Sequence, residues 1–122
     1  MRIYANFPES DGMAGYRMSS SDLASNMGNL AGENVYRAER CLLVDDAISS
    51  KGEVVERLSI EVDGCVYSTI SKSFIRGFKE FMPFLATASA FDFRVHLRET
   101  KSGRKCILFE GVSIEVGSEN NG

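Results

Sequence analysis

Residues 58–78, LSIEVDGCVYSTISKSFIRGF, decide how this chain is read. Leu58, Ile60 and Val62 alternate with Ser59 and Glu61, the period of a strand with one apolar face. Asp63-Gly64 then supplies the two positive-φ positions of a tight hairpin turn. If Val62 faces Cys65, Ile60 faces Tyr67 and Leu58 faces Thr69, which continues the apolar stripe. Ser71 or Ser73 is placed to cap a helix by accepting a free backbone N–H. Phe74, Ile75, Phe78, Phe81 and Met82 fall within one apolar face of that helix, and Lys72, Arg76 and Lys79 lie off it. Pro83 lacks a donor and ends the regular helix just before it. Gly77 weakens the helix unless it lies against a strand, where close packing compensates.

Working outward, FDFRVHLRE (residues 91–99) alternates again. Phe91, Phe93, Val95 and Leu97 point one way, and Asp92, Arg94, His96 and Arg98 the other. TKSGR is a turn, and KCILFEGVSIEV returns as a strand with a bend or bulge near Gly111. Upstream, VYRAERCLLVDDA (residues 35–47) reads as a long or bent strand, followed by the turn SSKGE. Residues 1–34 read as an N-terminal extension or loop. It has a short edge strand over Met1 to Phe7 and a short helix or ordered loop from Ser21 carrying Leu23, Met27 and Leu30. Residues 35–116 form the domain, and 117–122 a flexible tail.

The predicted order is three strands, a helix and two strands. It implies a mainly β fold with one central helix, an OB-like five-stranded barrel plugged at one end. A generic α+β antiparallel sheet packed by one helix gives nearly the same pattern.

The chain has 122 residues, 43% hydrophobic and 25% charged, which suits one domain with its own core. No run of 18 uncharged apolar residues exists to span a membrane, and the first residues lack the pattern of a secretion signal. Cys41, Cys65 and Cys106 are odd in number, so buried reduced thiols and a cytoplasmic location are expected. The formal net charge is −3. Residues 67–109 hold eight basic groups against three acidic ones, a local +5 that leaves −8 for the rest.

Catalytic chemistry finds little support. His96 is the only histidine, and no C-x-x-C pair accompanies it. Asp45 and Asp46 are adjacent, so on a strand they point in opposite directions and do not clasp one ion. No phosphate-loop spacing surrounds the glycines. The expectation is a non-enzymatic protein with no metal and no cofactor.

The basic groups suggest binding instead. Arg94, His96 and Arg98 share one side of a strand, and Lys101, Arg104 and Lys105 occupy the following turn and its return. With Lys72 and Arg76 they form the candidate nucleic-acid-binding set. Tyr36, Tyr67 and Phe109 are the candidate stacking rings, although Tyr67 also fits the core beside Ile60.

The segment from about Leu30 to Val116 resembles small single-stranded DNA-binding proteins of phages and mobile elements, chiefly in residues 58–78 and the closing SGRKCILFEGVSI. The resemblance is architectural and covers about two-thirds of the chain. It implies sequence-tolerant binding of single-stranded DNA in replication or recombination, with Arg94, Arg98, Arg104 and Lys105 on the backbone. The competing expectation is a phage-type inhibitor or adaptor that binds a host or phage protein through one contiguous apolar or acidic surface. A third is a small-ligand-binding barrel, which requires an interior cavity. A homo-oligomer remains open.

Overall fold

The central hairpin forms in the register dictated by its sequence. Strand β5 (Val54–Val62) pairs antiparallel with β6 (Cys65–Thr69), with Val62 opposite Cys65, Ile60 opposite Tyr67 and Leu58 opposite Thr69. Asp63 and Gly64 both have positive φ, as the turn requires. Helix α2 (Lys72–Phe81) starts at Ser71, whose side chain accepts from the Phe74 N–H. The Ser73 hydroxyl donates to the Ile107 carbonyl at 2.9 Å and pins the helix to the last strand. A short 3-10 turn over Met82–Leu85 carries Pro83. The computed structural model describes residues 1–116, so the tail expected at 117–122 lies outside the described residues.

The long strand expected upstream is bent at Glu39 into β3 (Tyr36–Ala38) and β4 (Arg40–Ile48), which join different sheets. Strand β3 pairs with β7 (Ala88–Glu99), which pairs with β8 (Lys105–Val116). Strand β4 lies between β5 and the N-terminal strand β1 (Arg2–Ala5). Helix α1 (Gly12–Ser19) follows, capped by Asp11. The two-residue strand β2 (Ser25–Asn26) then leads into a 3-10 turn at Met27–Leu30. The helix expected around Leu23, Met27 and Leu30 is therefore replaced by β2 and this turn.

No barrel closes. The free side of β6 takes β2 in parallel, with Ser25 opposite Tyr67 and Asn26 opposite Ser68, while β8 pairs with β7 alone. The result is a five-stranded sheet in the order β1-β4-β5-β6-β2 and a three-stranded sheet in the order β3-β7-β8. The expected OB-like five-stranded barrel is thus corrected to an open α+β arrangement, closer to the generic alternative but with two helices.

The five-stranded sheet is buried on both faces over its centre, which explains the uninterrupted apolar run CLLV. Cys41, Leu43, Leu58 and Ile60 face the main core with Phe74, Phe78, Phe91, Phe93 and Val95. Leu42 and Val66 face the opposite way, under Phe7 and under Ala14 and Met18 of α1. Sheets covered on both sides favour such continuous apolar runs over strict alternation.

One of the two glycines near β8 has a packing reason. Gly77 lies against β8, where an added Cβ would meet Phe109 at an ordinary 3.4 Å. Gly111 sits at the bulge where the β7–β8 register shifts, and an added Cβ would overlap the Phe81 ring. Phe81 in turn packs edge-on to Phe91 at a centroid distance of 5.5 Å. Gly111→Ala is therefore expected to cost about 1–3 kcal/mol by overpacking, read as a lower urea midpoint at unchanged m-value. Wild-type stability in that variant would contradict the Phe81–Gly111 contact.

Candidate functional site

The basic side chains singled out from sequence do not make one open surface. Arg94 and His96 project from β7 toward Glu110, the cross-strand partner of Arg94 on β8. Glu110 accepts from Arg94 Nη1 at 3.1 Å and lies 2.6 Å from His96 Nε2. The His96 hydrogen bond, with the nearby Arg94 charge, holds the Glu110 carboxyl below its ordinary value. Arg98, Lys101, Arg104 and Lys105 are exposed around the β7–β8 turn, and Lys72 and Arg76 are exposed on α2.

The proposed stacking rings are occupied by the protein itself. Phe109 lies 5.5 Å from both Phe74 and Phe78 and stacks on Phe93 at 6.0 Å. Tyr67 and Tyr36 are half-buried against the main core. A strand face whose middle is neutralised by Glu110, without a free ring beside it, lacks the arrangement that single-stranded DNA requires. The expectation of a single-stranded DNA-binding protein is corrected on that ground.

The three cysteines are free, but only Cys41 is buried, where burial pushes its thiol up to about 12. Cys106 is half-buried and Cys65 exposed, so the expectation of three buried thiols is corrected. No group of three or more His, Cys, Asp or Glu side chains is placed to hold a metal among the described residues. None of the helices there is long and apolar enough to cross a membrane.

Sequence reasoning missed the more distinctive chemistry, which lies on the outer face of the five-stranded sheet. Glu61 sits there with its side chain only 3% exposed. It takes Arg17 from α1 on one oxygen and Arg40 from β4 on the other, the latter at 2.7 Å. Burial alone pushes the Glu61 carboxyl up, but hydrogen bonds from Arg40 and Arg17 prevail and hold it below its ordinary value. The cluster fastens α1 to the sheet.

Arg57 lies on the same face of β5, four residues before Glu61. Its Nη1 donates to the Ser19 carbonyl at the end of α1 at 2.8 Å, and its Nη2 to Ser68 Oγ at 3.1 Å. Ser68 Oγ lies 2.7 Å from Ser59 Oγ. Among the described residues no carboxylate comes within ion-pair distance of Arg57. Burial accordingly pulls its pKa below the ordinary arginine value.

Beside Arg57 runs a cleft of about 560 Å³, floored by Met18, Leu42 and Val44 and edged by Ile48 and Ile70. A second depression of about 380 Å³ shares Ser21, Arg57 and Ile70 with it, so the two flank Arg57. Ile48 and Val54 are register partners at the turn end of the β4–β5 hairpin, and are 65% and 68% exposed. Ile70, 47% exposed, lines the cleft with Ile48 and a further depression with Val54. The sequence signal was available in retrospect. Ile48 and Val54 flank SSKGE, and apolar residues beside a hairpin tip have little protein to pack against.

Comparison with protein-family models, with characterised proteins and with solved structures found no match to this chain, so the resemblance to phage and mobile-element DNA-binding proteins gains no support.

Proposed function

We propose that this protein is a non-enzymatic interaction module that docks a segment of another protein at the Ile48–Val54–Ile70 surface. The observation that carries this reading is the exposed pair Ile48 and Ile70 at the edge of an apolar-floored cleft, with exposed Val54 beside them at an adjoining depression that Ile70 also lines. Solvated apolar clusters cost free energy in isolation and are favoured where a partner covers them. A cleft with an aliphatic floor and a polar rim suits one anchoring side chain, the usual centre of an interface. The main core is filled by Phe74, Phe78, Phe91 and Phe93, which favours an external partner over a ligand enclosed between the sheets.

The test is selection of a randomised displayed-peptide library on the intact chain, with counter-selection on Ile48→Asp/Ile70→Asp. Both side chains are exposed, so the double variant should keep its unfolding free energy to within about 0.5 kcal/mol. The reading predicts enriched peptides carrying an aliphatic or aromatic residue that lose at least tenfold in affinity on the variant. Failure to enrich any peptide, or equal binding to both chains, overturns it.

A further inference from the structure

The geometry points to a receptor for a carboxylate at Arg57, so that the docked segment carries an acidic side chain next to its apolar anchor. This rests on the docking surface proposed above and names the chemistry of its partner. An arginine has five N–H donors, and Arg57 commits one to the Ser19 carbonyl and one to Ser68 Oγ. Three donors remain on a half-buried cation that meets no carboxylate among the described residues. The buried charge on this face shows the contrast, because Glu61 is matched by two arginines.

The surroundings favour an incoming anion. Ser19, Ser21, Ser49, Ser50 and Ser59 line the same cleft and supply neutral hydrogen-bonding groups. Asp46 is the acidic residue of that lining, and it is paired with the Met1 amino group. A carboxylate reaching Arg57 would thus replace water on an under-neutralised guanidinium, a charge-assisted contact that desolvation strengthens. Its neighbouring aliphatic group would lie over Leu42, Val44 and Ile70. Because depressions lie on both sides of Arg57, the site suits a segment that crosses it, with the acid on a side chain.

The first arm uses the wild-type chain and needs no variant. Hexanoate and hexanol are titrated while the Arg57 Nε–Hε signal and the Ser19–Ser21 and Ser68 amides are followed by NMR. Hexanoate should shift the Arg57 signal saturably, and hexanol should leave it in place. An unshifted Arg57 signal, or equal shifts from both probes, overturns the carboxylate receptor. The second arm takes a selected peptide and changes its acidic residue to the amide. Affinity for the wild-type chain should fall about tenfold, with little change on Arg57→Gln. Selected peptides that lack acids, with hexanoate silent, would sink the role of Arg57 and leave the docking surface standing. A hexanoate response without any selected peptide would sink the protein partner and leave the anion site.

Discussion

Replacing Phe78 by alanine is expected to destabilise the protein by about 3–5 kcal/mol, the largest single effect in the molecule. Phe78 has no exposed surface and lies where α2 meets both sheets. Its ring is edge-on to Tyr4 of β1 at 6.0 Å and to Phe109 of β8 at 5.5 Å, and tilted against Phe91 of β7 at 6.2 Å. No single neighbour can collapse into the space without dragging one sheet toward the other, so most of the cavity would persist. Phe84, five residues after α2 reaches Lys79, is the control: it is largely exposed, and Phe84→Ala should change the urea midpoint little. Equal effects at the two positions would mean that α2 does not join the sheets as described.

The second large effect concerns the charge cluster under α1. Arg17→Ala/Arg40→Ala leaves the Glu61 carboxylate buried with neither of its partners and should cost about 2–4 kcal/mol. That falls short of a wholly enclosed pair because both guanidinium groups touch solvent, so water can follow them in. Adding Glu61→Gln to the double variant should return much of the loss, since the charge that lacked partners is gone. A triple variant as unstable as the double would show that the arginines act by packing alone.

Acid should act on the same cluster. The Glu61 carboxyl is held below its ordinary value of 4.5, so its contribution is fully present above that pH. It disappears as pH falls through the lower folded value, because the unfolded chain then binds the proton more readily. Glu61→Gln should flatten the decline in stability below pH 4.5, measured by urea unfolding at a series of pH values. An unchanged acid limb would remove Glu61 from its origin.

These two sites mark what was legible in the sequence and what was not. The period-two alternation around Asp63-Gly64 fixes the β5–β6 register, because a shift by one residue would turn Leu58, Ile60 and Val62 away from the main core. The α2 face was legible for a similar reason: Phe74, Ile75 and Phe78 recur at helical spacing behind a serine cap. Closure was not legible. Whether β6 meets β8 or β2 depends on contacts between distant segments, and the residues of β2, Ser25 and Asn26, carry no strand signal.

Helix α1 was hidden by its composition. Gly12 and Gly15 disfavour a helix, and eight residues are too few to form one alone. It forms because Asp11 caps it, Ala14 and Met18 cover Leu42 and Val66, and Arg17 and Arg57 tie it to β5. The candidate site shares that dependence. Arg57 read as one more polar position on a strand, and only the placement of α1 shields part of it from water without giving it a carboxylate. The basic stripe failed in the opposite way, since period two correctly put Arg94 and His96 on one side but said nothing of Glu110 across the ladder.

The most direct test of the docking surface is an amide footprint of the tightest selected peptide, measured by hydrogen exchange on the intact chain. The account predicts protection confined to Ser19–Ser21, the Ala47–Val54 end of the β4–β5 hairpin, and residues 68–70. Protection centred on the β7–β8 turn from Arg98 to Lys105, with those amides unchanged, would contradict it.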